Sequence, residues 1–244
     1  MKIAIIGGTG SGQLFATMRW TGLLEETPFG RPSSTICPVG QEGYQSELGF
    51  LARHGPDGSI PPHRVNYRAN LWLLKQFQPD LIVGLNAVGG IGEDASPARL
   101  VFPDQLIDYT SGREHTYSDG KLAPLQHIEF TEPFDPAGRR HLIDCAAELG
   151  LDFIPAGTYG VTQGPRLETA AEINRLQRDG CDIVGMTAMP EAALARELGL
   201  AYVICAVVVN RAAGRGEPGD GIHDEIQRSL EGGMAQIGRL LRVL

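Results

Sequence analysis

The sequence predicts an α/β fold: a single domain over residues 1–244, with a mixed, largely parallel central β-sheet flanked by helices. Three observations predict it. Short apolar runs rich in β-branched residues recur along the chain, continuous rather than alternating, as in strands covered on both faces. Helical patterns lie between them. The runs end in small or polar residues, at the edge where open α/β sheets bind ligands.

The first run, residues 2–6, passes straight into GGTGSG at 7–12. The second, LIVGL at 81–85, leads into NAVGGIG at 86–92. The third covers 183–184 and ends at Gly185, Met186 and Thr187. The fourth, YVICAVVV at 202–209, ends at Asn210. Helical periodicity marks residues 69–77, 139–149, 168–178, 191–198 and 224–241. No linker, internal repeat or low-complexity tract divides the chain. The Gly- and Pro-rich stretch 211–221 (RAAGRGEPGDG) is the most loop-like and is the candidate for a mobile flap.

Composition narrows the class of function. Of 244 residues, 42% are apolar, enough for a sizeable core, and the formal net charge is −8. So acidic a chain is a poor match to nucleic acid or to an anionic membrane surface. An anionic substrate would need a local cluster of donors. No apolar run approaches the roughly 20 residues of a membrane span. The first strand begins at residue 2, which leaves no room for a signal peptide. Cys37, Cys145, Cys181 and Cys205 are widely spaced, with neither a CxxC pair nor metal-like spacing. They read as buried thiols in a reducing cytoplasm.

Several motifs carry chemistry. The amides of the 7–12 turn can wrap a phosphate, with Thr9 adding a hydroxyl; a tight turn alone is the alternative. A dinucleotide fold lacks the acidic residue about 20 positions on, and a Walker loop lacks its Gly-Lys-Ser/Thr. In LARHG at 51–55, Arg53 can grip a phosphate with two parallel bonds and His54 adds a donor. The small residues of NAVGG let a ligand approach the backbone, and Asn86 could cap the next element. In GPRLET at 164–169, Glu168 falls in the first turn of a helix, where the macrodipole favours a carboxylate. Pro190 suits the first position of the next helix, with Glu191 after it and Thr187 just before. Met186 reads as core or as a ligand contact. His223 and Asp224 precede the last amphipathic helix, where a capping role is the plain reading. DQLIDYTSGREHT at 104–116 holds acids and a His, but at spacing that fits no metal site, and reads as structural.

Together these segments resemble the trimeric purine nucleoside phosphorylase and methylthioadenosine phosphorylase family. The resemblance rests on GGTG, LARHG, PPHRVNYRANLWLLK at 61–75, NAVGG, QLIDYTSGREHTY at 105–117, GPRLET, GMTAMPEAALARELGL at 185–200 and VVVN at 207–210. It covers nearly the whole chain. It implies a phosphorylase fold, and phosphate bound by Thr9, Arg53, His54, the Ala87 backbone and Thr187. It implies sugar contact from Met186 and base contact from Glu168 and Asn210, with Arg211 and Ala212 beside them. Asn210 would stabilise the leaving base. Phosphate is then a co-substrate, no cofactor or metal is needed, and a homotrimer, or a homohexamer of two trimers, is expected. Where the family places a base-stacking aromatic, this chain has Leu167.

The resemblance also bears on specificity. A carboxylate at 168 accepts from the N1–H of a 6-oxopurine and repels the bare N1 of adenine. Adenine-specific members carry a small hydroxyl residue there and aspartates around position 210. A 6-oxopurine nucleoside is therefore expected. His223 falls where ordinary purine nucleoside phosphorylases bind the 5′-hydroxyl and where methylthio-specific members are apolar, so it favours inosine and guanosine. A non-catalytic phosphate- or nucleotide-binding module remains the distant alternative.

Overall fold

The computed structural model describes residues 1–15, 26–40, 43–120, 124–216 and 222–244. Its strands are β1 (Lys2–Gly7), β2 (Cys37–Pro38), β3 (Glu47–Ala52), β4 (Leu81–Gly90), β5 (Leu100–Val101), β6 (Gln105–Asp108), β7 (Phe153–Ile154), β8 (Thr158–Val161), β9 (Ile183–Gly185) and β10 (Tyr202–Arg211). Its helices are α1 (Tyr67–Phe77), α2 (Pro136–Glu148), α3 (Ala170–Arg178), α4 (Ala188–Glu197) and α5 (Ile222–Leu241).

The main sheet runs β2-β3-β1-β4-β10-β5-β7. Strands β3, β1, β4 and β10 are mutually parallel, with antiparallel partners toward both edges. This is the mixed, largely parallel sheet expected. Ile3, Ile5, Ile6, Val83, Val203 and Val207 are fully buried, each contributing roughly 1.5–3 kcal/mol relative to exposure. Helices cover both faces, which is why these strands read as unbroken apolar runs.

Strands β4 and β10 do more than the sequence suggests. The apolar run at 81–85 was expected to give way to a loop at NAVGG, but β4 continues to Gly90. It does so because β10 stays paired with it, through Val207↔Ala87 to Arg211↔Gly90, with a bulge between Val208 and Asn210. Past the main sheet, Gly89 and Gly90 pair antiparallel with β9, and β9, β8 and β6 form a second limb. The site lies where the two limbs diverge. The glycines permit this: a Cβ on Gly90 would collide with the Ala95 carbonyl.

Helix starts are encoded locally. Asn66 and Asp135 accept from Ala69 N and Gly138 N. Thr169 and Glu172 form a capping box on α3. That box corrects one expectation: α3 begins at Ala170, so Glu168 precedes the helix rather than sitting in its first turn. Met189 is non-helical, and the regular part of α4 starts at Pro190, as its ring suits. All four cysteines are thiols; Cys37, Cys181 and Cys205 are buried and Cys145 half-buried. Among the described residues no helix is long and apolar enough to cross a membrane. Nor does any cluster of His, Cys, Asp and Glu there suit a metal. Residues 217–221 of the expected flap, and the side chain of His223, fall outside the described set; His223 is the second residue of α5.

Gly90→Ala is expected to cost about 1–3 kcal/mol, because the obstructing atom is backbone and cannot turn aside. Urea unfolding of the variant against wild type measures it.

Candidate active site

The anion side is built first. After β1 the chain turns at Gly8 and enters a 3-10 turn at Ser11–Gln13, entered through Gly10 at φ 82. The Ser11 hydroxyl donates to Gly8 O at 2.6 Å and closes the loop. Gly8, Thr9, Gly10, His54 and Phe50 line a cleft of about 590 Å³. Thr9 is exposed at its rim.

Arg53 lies at the end of β3, fully buried. Its Nε and Nη2 donate to the two carboxylate oxygens of Glu191 at 2.5 and 2.9 Å. Nη2 also donates to Ile6 O and Nη1 to Leu85 O. Burial alone would lower the Arg53 pKa; the Glu191 carboxylate outweighs it and holds the guanidinium protonated. Glu191 is itself fully buried and accepts from the Tyr202 hydroxyl at 2.9 Å. The expectation of a two-bond phosphate grip is thus corrected: that edge of Arg53 belongs to Glu191. Of its five N–H donors, one Nη1 proton is left, on the side of Gly8, where a Cβ would lie 2.7 Å from Nη1.

His54 is corrected in the same way. Its Nδ1 lies 2.7 Å from Ile60 O, so Nδ1 carries the proton and Nε2 is bare. Burial, and then Arg53, hold its pKa below the ordinary 6.5. The neutral ring presents an acceptor to the cleft, suited to a protonated phosphate oxygen, rather than the expected donor.

Asn86 caps no element. It lies within β4, 1% exposed, and its Nδ2 donates to Thr187 Oγ1 at 2.7 Å. That bond fills a lone pair of the Thr187 hydroxyl and leaves its proton for an acceptor in the site. Thr187 is buried at the start of α4, and the half-buried Ala87 follows Asn86 on β4.

The second cleft, of about 600 Å³, is lined by Tyr109, Thr162, Gln163, Gly164, Arg166 and Glu168 among others. Glu168 accepts from the Thr162 hydroxyl at 2.6 Å. The Met186 side chain packs against Gly164, where a Cβ would strike its sulfur. Met186 thus packs beside the loop of Glu168, and its chain neighbour Thr187 is tied to β4 through Asn86. Leu167 is half exposed.

The end of β10 is less uniform than expected. The bulge before Asn210 re-aims that side chain. Its Nδ2 donates to Arg211 O at 2.6 Å, which leaves one amide proton and Oδ1 for a ligand. The Arg211 guanidinium donates to Gly92 O and Glu93 O and serves as a strut for the turn after β4. Ala212 packs in a small core cluster with Ile91 and Val184.

Two residues escaped the sequence reading. Glu191 does lie in the first turn of α4, but its pairing with Arg53 is signalled only by its setting in the apolar run MPEAALA. Arg113 had no such signal. Its guanidinium, largely buried, donates to the carbonyls of Met186, Met189, Thr162 and Gln163, to Gln163 Oε1 and to the Tyr67 hydroxyl. It braces the Glu168 loop against the Met186–Thr187 junction.

Comparisons with known proteins show the family. The model of the phosphorylase superfamily matches residues 2–243. A probable S-methyl-5′-thioinosine phosphorylase of Pseudomonas syringae pv. tomato is 49% identical over 99% of this chain and 97% of its own. The 6-oxopurine nucleoside phosphorylase of Pyrococcus furiosus is 44% identical over 87% of this chain and 80% of its own. Among solved structures, the methylthioadenosine phosphorylase of Schistosoma mansoni, in complex with adenine, superposes with a TM-score of 0.89 at 30% identity, covering 99% of this chain and 90% of that one. The chain belongs to the phosphorylase superfamily. Within it, the chain is an enzyme of the purine nucleoside phosphorylase type, a pentosyltransferase.

Two outcomes are expected. Glu191→Ala strands a buried guanidinium and should cost about 3–5 kcal/mol, whereas the double variant Arg53→Met, Glu191→Leu should be far closer to wild type in stability while losing activity. Urea unfolding of both variants decides. For His54, the folded value is the lower one, so the unfolded chain takes up the proton first. Nothing is lost through it above pH 6.5, and stability falls as pH drops from 6.5 through the folded value. Against His54→Gln, wild type should therefore lose ground in urea midpoint between pH 7.5 and 5.5 (about one unit either side of the ordinary value).

Proposed function

We propose that the protein catalyses the reversible phosphorolysis of S-methyl-5′-thioinosine to hypoxanthine and S-methyl-5-thioribose 1-phosphate. The observation that carries this reading is Glu168, fixed by Thr162 at the edge of the base cleft as an acceptor. Such a group accepts from N1–H of a 6-oxopurine and faces the bare N1 of adenine with repulsion. An unmatched pair of this kind costs about 1–3 kcal/mol, and more for a charge. The relative from Pseudomonas syringae pv. tomato supports the methylthio sugar. A second reading is a general inosine and guanosine phosphorylase. His223 near the start of α5 favours it, and so does the relative from Pyrococcus furiosus.

In the proposed reaction a phosphate oxygen bonds to the anomeric carbon as the bond to purine N9 breaks; the electron pair leaves with the base, and the proton that the phosphate gives up ends on the purine. The transition state resembles an oxocarbenium ion, positive on the sugar and negative on the purine. Phosphate would sit against the amides of Thr9, Gly10 and Ala87, the Thr9 and Thr187 hydroxyls, the remaining Nη1 proton of Arg53 and Nε2 of His54. It supplies both nucleophile and counter-charge, and holding it against the anomeric carbon supplies much of the rate. Met186 contacts the sugar. The remaining amide N–H of Asn210 donates a hydrogen bond to N7 or O6 as charge builds on the base. The mechanism draws on phosphate as co-substrate and on no metal or organic cofactor. A cytoplasmic homotrimer, or a pair of trimers, is the proposed assembly, on the strength of the family resemblance.

Catalytic efficiencies for methylthioinosine, inosine, guanosine and methylthioadenosine test the reading. Methylthioinosine is expected to lead, and faster phosphorolysis of methylthioadenosine overturns the 6-oxopurine assignment. Asn210→Ala should lower kcat by about 10²–10³-fold, as removal of a donor to developing charge does.

A further inference from the structure

We propose that Thr162 is the positioning residue that sets the base preference of the Glu168 site; this rests on the 6-oxopurine reading above. Thr162 follows β8, and its backbone N–H donates to Gly185 O at 2.8 Å. Arg113 binds the carbonyls of Thr162 and Gln163, so the backbone here is held from two sides. The hydroxyl has one proton and two acceptors within reach: Glu168 Oε1 at 2.6 Å and Gly185 O at 3.3 Å. The short bond to the carboxylate takes it, because a charged acceptor binds a hydroxyl more strongly than a distant neutral carbonyl.

Two consequences follow. One lone pair of Oε1 is taken, so Oε2, for which no bond among the described residues competes, is the freer oxygen to meet a base. The carboxylate is also kept from turning toward Arg166, the nearest cation on its own loop, whose guanidinium is already paired with Glu172. A glutamate without this bond has several rotamers open to it, and a carboxylate that swings away stops discriminating between N1–H and bare N1. Thr162 touches neither substrate nor phosphate in this account. It acts through Glu168 alone.

The test compares wild type, Thr162→Val and Thr162→Ser on methylthioinosine and methylthioadenosine, with phosphate varied separately. Valine keeps the shape and removes the donor; serine keeps the donor. Thr162→Val should lower the ratio of kcat/KM for the 6-oxo over the 6-amino nucleoside by about tenfold or more, mainly through the nucleoside KM. The phosphate KM and the urea midpoint should stay near wild type. Thr162→Ser should return the ratio to within about threefold of wild type, as a retained hydroxyl donor predicts. An equal fall on both nucleosides, or a raised phosphate KM, overturns the proposal and leaves Thr162 a packing residue. So does a 6-oxo preference that Thr162→Val keeps intact, with the base-site reading then still standing. A wild-type preference for methylthioadenosine overturns that reading, and this proposal with it.

Discussion

The ion pair between Arg53 and Glu191 is the constraint on which the site depends. Arg53 comes from the end of β3, Glu191 from the first turn of α4, and Tyr202 from the start of β10. Through Ile6 O and Leu85 O the same guanidinium reaches β1 and β4. One buried cation thus fixes the relative position of four strands and the helix that presents Thr187. Two charges in the core bring no net stability by themselves, since their desolvation offsets their attraction. What they bring here is registry. The loops that carry Gly8, His54 and Thr187 start from elements that cannot slide past one another without breaking this pair.

A second cation does the same for the other half. Among the described residues Arg113 has no carboxylate partner like Glu191 and works mainly through backbone carbonyls, and so ties the loop of Glu168 to the Met186–Thr187 junction. Between the two braces runs one continuous path. Gly8 N reaches Leu85 O, Asn86 follows it on β4 and holds Thr187, and Met186 packs against Gly164 beside the base cleft. A nucleoside laid along that path would have phosphate at one end and Glu168 at the other. A shift in either brace would change the distance between nucleophile and leaving base, the quantity on which proximity catalysis turns.

Much of this was legible in the sequence, and the rest failed for identifiable reasons. Runs such as YVICAVVV announce a strand buried on both faces, so the fold class followed from 81–85 and 202–209. The reach of β4 to Gly90 did not, because NAVGG has no strand propensity of its own and is held extended by β10 and β9. Strands β6 (QLID) and β8 (TYGV) lack a β-branched apolar run of their own and are held extended by pairing with each other and with β9. At the site, local composition announces what one segment does by itself: residues 7–12 form a glycine turn, and 164–169 leads into a capped helix. Roles set by distant partners were misread. Arg53 took its carboxylate from 138 residues away, and Arg113 took its acceptors from as far as 76. Spacing along the chain holds no trace of such pairs.

The donor inventory bears on how an acidic protein holds an anion. With Arg53 reduced to one spare proton and His54 neutral, little full positive charge faces the phosphate cleft. In the proposed site the binding that remains would come from dipoles: the amides of Thr9 and Gly10, the Thr9 hydroxyl, and the Thr187 hydroxyl, whose oxygen already accepts from Asn86. Such groups cost no net charge to bury and are preorganised by the strands that end there, so they serve a nucleophile that must leave its hydration shell. A bare cluster of lysines would hold phosphate more tightly in the ground state and so gain nothing for the reaction. The chain's net charge of −8 is therefore compatible with an anionic substrate. Attraction acts only within hydrogen-bonding range, where the backbone of β1 and β4 has already fixed the geometry.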